Sequence, residues 1–229
     1  MDEPTPQFYP YPVPRRRPVA WVTWFLVGST VAVFLLQLLG FHLYGDDVVG
    51  NALAFSPDAV IDHRYWTILT YAWAHAVEMF GDSDLFWLHI VSNMIPLICL
   101  GPALEEILGH GRYLGLYLGG AVASVVVWGV LNMDSDEPII GASGAVFAVI
   151  AAVGTAVPRA RVTVLLFYVL PLRMSMRVLA LTVCGVEVAS IYFHWMPEVA
   201  HSAHLGGAAF GFLYVMTIRA TSQRENLYD

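Results

Sequence analysis

With 229 residues, 58% of them hydrophobic, only 13% charged and a mean hydropathy of +0.63, the chain is too apolar for an ordinary soluble domain and reads as a polytopic membrane protein. Its formal net charge of −7 does not call for a basic partner, because the acids gather in particular connections, and the lack of a basic stripe excludes nucleic acid. Cys99 and Cys184 both fall within apolar runs, so they give neither a disulfide framework nor a metal-ligand spacing.

Residues 1–18, proline-rich and ending in Arg15, Arg16 and Arg17, are expected to form an extended cytoplasmic tail that orients the chain. The first apolar run, 19–41, is about twice as long as a signal-peptide core and is followed by no small-residue cleavage site, so it is read as a retained span. The acid-rich connection 45–84 holds Trp66, Tyr71 and Trp73 and is expected to fold onto the outer interface. Further runs at 85–108, 113–131, 141–157, 177–193 and 199–218 complete six candidate spans, each near the ~20 residues that cross hydrocarbon. Between the fourth and fifth, "VTVLLFYVLPLRM" is short and proline-interrupted, and is expected to lie along the cytoplasmic interface. Residues 220–229 are expected to be a short cytoplasmic tail, so the fold class is all-α: a polytopic membrane protein with a six-helix transmembrane domain over 19–219.

All the basic residues are arginines. Arg15 to Arg17, Arg112, Arg159, Arg161, Arg173, Arg219 and Arg224 fall on alternate connections, which are therefore cytoplasmic, as are both termini. The opposite connections hold Asp46, Asp47, Asp58, Asp62, Glu78, Asp82, Asp84, Asp134, Asp136, Glu137 and Glu198, with Arg64 the sole basic exception.

This orientation sends spans two, four and six from outside to inside. His89, Ser143 and His204 then each lie within about 8 Å of their helix's outer end, at ~1.5 Å rise per residue. Single outer-end histidines often reach for the headgroups, but three polar groups at one depth point to a site, because polar side chains inside a membrane usually face a bundle interior or a wet cavity. Asn93 follows His89 by four residues, placing imidazole and carboxamide on one helical face. A serine attacking an amide needs a base for its proton and donors for the oxyanion. His204 suits the first role; His89, Asn93 and the Ser143 backbone N–H suit the second, with the start of span four adding a positive helix end. Gly141 and Gly144 are expected to let backbone N–H groups approach the reacting carbonyl. His201 lies one turn before His204 on a similar face, and spacing alone does not choose between them.

"HIVSN" in the second span, "GASG" opening the fourth and "AHLGG" in the sixth resemble, in that order, the signature of the rhomboid family of intramembrane serine proteases. "GPALEEILGHGRYLGLYLGG", with Gly101, Glu105, Gly109 and Arg112, is similar to that family's G-x-x-x-E-x-x-x-G stretch and the segment after it, and "YWTILTYAWAHA" to its first-loop pattern, so the resemblance covers about residues 64–215. It implies the basic six-helix rhomboid fold and a catalytic dyad without an acid. Ser143 would be nucleophile and His204, rather than His201, base; His89, Asn93 and Ser143 would stabilise the oxyanion, and Phe147 would pack on the catalytic imidazole. The implied activity is hydrolysis of peptide bonds in or near the transmembrane segments of single-span membrane proteins. It takes place within the lipid bilayer near the outer face and needs no cofactor and no metal. Thr67 stands where the family commonly has arginine, and "AVEMFGDSD" lengthens the first loop.

Ala203, Gly207 and Gly211, spaced every four residues, predict close contact between spans six and four. Glu105 and Glu106 lie at the wrong depth for catalysis and are expected to bond backbone or arginine near the inner connection. Glu187, mid-span, is either neutral, paired, or facing water. A metal site on His89, His201 and His204 with Asp84 or Glu198 lacks an H-E-x-x-H or cysteine-pair signature. A non-catalytic rhomboid-like protein that binds client helices would have lost the nucleophile or the base, and both are present; a transporter would show repeated, broken helices, and no repeat is visible.

Overall fold

The computed structural model describes residues 19–77, 87–135, 137–166 and 169–225, with side chains as far as residue 221. The tail 1–18 with its three arginines, Glu78, Asp82, Asp84, residues 85 and 86 of the expected second span, Asp136, residues 167 and 168, the Arg224 side chain and residues 226–229 lie outside the described residues.

α1 (Trp21–Tyr44) is an uninterrupted apolar helix, closed by Gly45 in the left-handed region at φ 70°, whose N–H donates to the Phe41 carbonyl. The connection after it folds into α2 (Val48–Leu53), α3 (Pro57–Ile61), α4 (Thr67–Thr70) and a 3₁₀ turn, Tyr71–Trp73. Side-chain caps start the first two of these: Asp47 accepts from the Gly50 N–H at 2.8 Å, and Ser56 from the Ala59 N–H at 3.1 Å with Pro57 at the first helical position. Buried Gln37 pins this connection to α1. Its Nε2 donates to Asp47 Oδ2 (2.7 Å) and to the His75 carbonyl (2.9 Å), while its Oε1 accepts the His75 N–H (2.9 Å). Every polar atom of a mid-helix carboxamide is thereby satisfied.

α5 (Trp87–Leu108) and α6 (His110–Leu131) follow, joined at Gly109 with φ 80°. Glu105 reaches across to the start of α1, accepting from Val22 N–H (3.0 Å), Thr23 N–H (2.8 Å) and Thr23 Oγ1 (2.6 Å), with His110 Nδ1 at 2.6 Å. It thus serves as a cap for orphan helix N–H groups, a structural use of the kind expected for it. α7 (Ser143–Ala156) is buried over almost its whole length and forms the centre of the bundle, enclosed by α5, α6, α8 (Met176–Phe193) and α9 (His201–Glu225).

α1, α5, α6 and α8 are each long and apolar enough to cross a membrane; α7 is apolar but has only 14 residues. The architecture is that of a mostly helical, polytopic membrane protein, with helices at all six expected apolar runs. Several boundaries move by two or three residues, and three differences stand out. The fourth run starts two residues late, at Ser143, because Gly141 takes φ 119° and keeps the chain out of the helix until then. The sixth continues past residue 218 to Glu225, into the segment expected to be a tail. Between α7 and α8 the chain forms an antiparallel hairpin, β1 (Arg161–Leu166) and β2 (Leu170–Ser175), pairing Arg161 with Ser175 through to Leu166 with Leu170. The β-branched stretch Val162, Thr163, Val164 suits a strand, and Pro171 sits on a two-stranded ribbon where one edge needs no ladder donor.

α7 and α9 meet backbone to backbone. A Cβ on Gly207 would overlap the Gly144 carbonyl, and one on Gly211 the Ala148 carbonyl, so the small-residue face of α9 lies directly on α7.

Candidate active site

The starts of α5, α7 and α9 bring the polar residues together: His89 is the third residue of its helix, Ser143 the first and His204 the fourth. Ser143 Oγ lies 2.8 Å from His204 Nε2, a hydrogen bond across 61 residues of sequence. Phe147, one turn after Ser143, stacks on the His204 ring with centroids 4.5 Å apart and planes 9° from parallel, which fixes the plane of the imidazole. His204 is buried and Ser143 half-buried.

Gly141 packs against His89: a Cβ there would lie 2.7 Å from His89 Nε2, and its φ of 119° is open to glycine alone. Its N–H does not face the site, however, but donates to the Tyr71 carbonyl at 2.9 Å. The Gly141 N–H is thus committed to Tyr71, and the open side of this glycine lets the His89 ring approach closely. At Gly144 a Cβ would overlap the Ser124 side chain, whose hydroxyl donates to the Ala203 carbonyl of α9 at 2.8 Å. Gly144 thus holds three helices together.

His89 Nδ1 accepts the Ala76 N–H at 3.3 Å, so in a neutral ring the proton is on Nε2, beside Gly141. Asn93 is buried and donates one Nδ2 hydrogen to the His89 carbonyl at 2.7 Å, leaving its other N–H uncommitted by that bond.

His75 was not singled out by sequence. Its Nε2 accepts the Ala142 N–H at 3.4 Å, its Nδ1 faces the Trp73 carbonyl at 3.3 Å, and its ring lies 5.0 Å from that of His89. It ties the first connection to the residue preceding Ser143. Burial, and next the neighbouring His89, push its pKa down to about 3, so it stays neutral at ordinary pH. Tyr71, whose hydroxyl donates to the Ala121 carbonyl at 2.8 Å, has its pKa raised by burial. Phe55 and Ile139 exchange backbone hydrogen bonds of 3.0 and 2.8 Å, fixing the approach to α7 from the other side.

Glu187 is paired. Its Oε2 is 2.5 Å from His201 Nδ1 and its Oε1 is 3.1 Å from His204 Nδ1. Among the described residues, Glu187, His201 and His204 also form the one group able to hold a metal, with candidate ligand atoms all within 4.8 Å of one another; His89 is not in it. Their geometry suits a shared proton better. Two ligands on one zinc stand about 3.2 Å apart, from metal–ligand distances near 2.0 Å at a tetrahedral angle, whereas the His201–Glu187 contact is 2.5 Å.

The sequence pattern of the rhomboid domain matches residues 62–221, most of the chain, from just before α4 into α9. The chain belongs to the rhomboid family. Among its relatives, it is 34% identical over 130 residues to presenilin-associated rhomboid-like protein A, mitochondrial, of Danio rerio, a stretch covering 56% of this chain and 33% of that protein. It is 30% identical over 141 residues to the presenilin-associated rhomboid-like protein, mitochondrial, of Bos taurus, covering 61% and 36% respectively. To rhomboid protein 1, mitochondrial, of Saccharomyces cerevisiae it is 30% identical over 144 residues, covering 61% and 40%. The matched region thus spans about a third to two fifths of these relatives. In this rhomboid domain the serine and histidine of "GASG" and "AHLGG" meet within hydrogen-bonding distance.

Proposed function

We propose that this rhomboid protein is a serine endopeptidase that hydrolyses peptide bonds in or near the transmembrane segments of single-span membrane proteins. The observation that carries the reading is the 2.8 Å contact between Ser143 Oγ and His204 Nε2.

In the proposed reaction His204 Nε2 takes the hydroxyl proton as Ser143 Oγ bonds to the scissile carbonyl carbon, and the carbonyl π pair moves onto oxygen. The His89 Nε2–H, the free Asn93 N–H and the backbone N–H of Ser143 at the helix start supply donors for that oxyanion. Collapse breaks the C–N bond, with the imidazolium proton going to the leaving amine. Water, deprotonated in turn by His204, then releases the acyl group. A regular helix shields its carbonyls, so the substrate must unwind locally, and small or helix-weakening residues are expected near the cleaved bond. Entry past α8 and the loop before α9 is supported by the few residues that α8 buries. Six crossings, with both termini cytoplasmic and the site near the outer face, complete the proposal.

The test is cleavage of a labelled single-span substrate by purified protein in liposomes, with parent, Ser143→Ala and His204→Ala compared. Parent activity should fall by at least about 10³-fold in both variants, and a fluorophosphonate should label the parent but not Ser143→Ala. Equal cleavage by all three would end the assignment. A parent that binds substrate without cutting it would make the chain a client-binding rhomboid protein instead.

A further inference from the structure

Resting on the reading of Ser143 and His204 as nucleophile and base, we infer that Glu187 is a third member of the site, a positioning residue that holds and charge-balances His204, and that His201 secures it in turn.

The argument begins with protons. If His204 Nε2 accepts from the Ser143 hydroxyl, the proton of its neutral ring must sit on Nδ1. That Nδ1 is buried and lies 3.1 Å from Glu187 Oε1, yet it makes no hydrogen bond in the resting geometry, because its N–H is not aimed at the oxygen. A buried N–H beside a carboxylate that it does not yet engage is costly at rest, and a small turn of the ring or of the carboxyl satisfies it. The contact therefore gains most when His204 has taken the serine proton and become a cation, which is when a base in an apolar surround needs a counter-charge.

The carboxylate is itself held. His201 Nε2 faces two acceptors, the carbonyls of Trp195 (2.9 Å) and Met196 (3.1 Å), so Nε2 carries a proton, and Nδ1 meets Glu187 Oε2 at 2.5 Å, a distance that requires a proton between them. The pair is neutral as a whole, but with the shared proton on His201 Nδ1 the carboxylate keeps its negative charge, and its Oε1, 3.1 Å from His204 Nδ1, is closer to that ring than the His201 ring is at 6.4 Å between centroids. Through His201 the chain of contacts extends to the loop joining α8 to α9, where His194 and Met196 adopt positive φ of 54° and 48°. The titratable groups facing His204 are Glu187 from α8, His201 from its own helix and His89 from α5, with Cys184 beside Glu187.

The test compares parent, Glu187→Gln and Glu187→Asp in liposomes by pH profile of substrate cleavage and by fluorophosphonate labelling rate, with thermal unfolding as the check on folding. Glu187→Gln keeps an acceptor for Nδ1–H but removes the charge. It should lower kcat/KM on the order of 10²-fold, mostly through kcat, and move the acid limb of the profile to lower pH. Glu187→Asp should recover part of the loss. An unchanged acid limb in a folded Glu187→Gln protein would overturn the inference while leaving the Ser143 and His204 assignment intact. Should the parent itself prove inactive, ¹⁵N-histidine spectra decide independently. The Nδ1–H form of His204 should dominate in the parent and lose population in Glu187→Ala, and equal populations would overturn the inference. Loss of parent activity on adding zinc, relieved by Glu187→Gln and by chelator, would make these side chains a metal site instead and overturn it too.

Discussion

α7 and α8 flank His204 in opposite ways. α7 is buried nearly throughout and meets α9 through glycines with no side chain between the backbones, so Ser143 and His204 are set by main-chain geometry. α8 buries only Met176, Glu187 and Ser190 and leaves Leu181, Val188, Tyr192 and Phe193 exposed. Two of its three buried residues are polar, and they lie toward its later half, while its first residue, Met176, packs at Gly154 near the end of α7. The difference teaches that Ser143 and His204 are placed rigidly, while the carboxylate beside them sits on a helix with little packing of its own.

The rigid side breaks most severely. Gly207→Leu would drive a side chain into the Gly144 carbonyl, and a loss of about 3 kcal/mol or more is expected, read as a large fall in the thermal midpoint in detergent. Tyr71→Phe removes one buried hydroxyl and its hydrogen bond to the Ala121 carbonyl, for a loss of about 1 kcal/mol in the same assay. Leu181→Ala, on the exposed face of α8, should change stability by less than about 0.5 kcal/mol; a loss as large as that of Tyr71→Phe would show α8 to be packed as firmly as α7.

A pH series sharpens the same contrast. His75 has a folded-state pKa of about 3, below the value near 6.5 of an unfolded chain, so the unfolded state binds the extra proton. Its contribution is fully present above pH ~6.5 and declines as pH falls from there toward ~3. The midpoint should therefore drop between pH 7 and pH 5, and His75→Asn should drop less over that interval.

The apolar runs were legible because a membrane helix needs only local apolarity and length, and the three motifs were legible because they open helices that run in the same direction. What escaped depended on tertiary partners. His75 matters through the Ala142 N–H, 67 residues away, and nothing in "AWAHA" announces that bond. Glu187 could be read only as paired, neutral or wetted until the loop at 194–200 returned His201 and His204 to it. The hairpin at 161–175 hid because an apolar stretch with a proline satisfies an interfacial reading equally well, and only pairing across the turn distinguishes a strand. The flexibility of Gly141 was legible, but its packing against the His89 ring was not, since that neighbour comes from another helix.

The brevity of α7 has a consequence for solvent. Fourteen residues rise about 21 Å, against roughly 30 Å of hydrocarbon. In the proposed orientation Arg159 and Arg161, just beyond its far end, would hold that end among the headgroups, and the shortfall would fall on the Ser143 side. Under the proposed function the hydroxyl would then stand at the floor of a pit several ångströms deep, and the hydrolytic water would descend to it from above, because the lipid tails alongside have none to give.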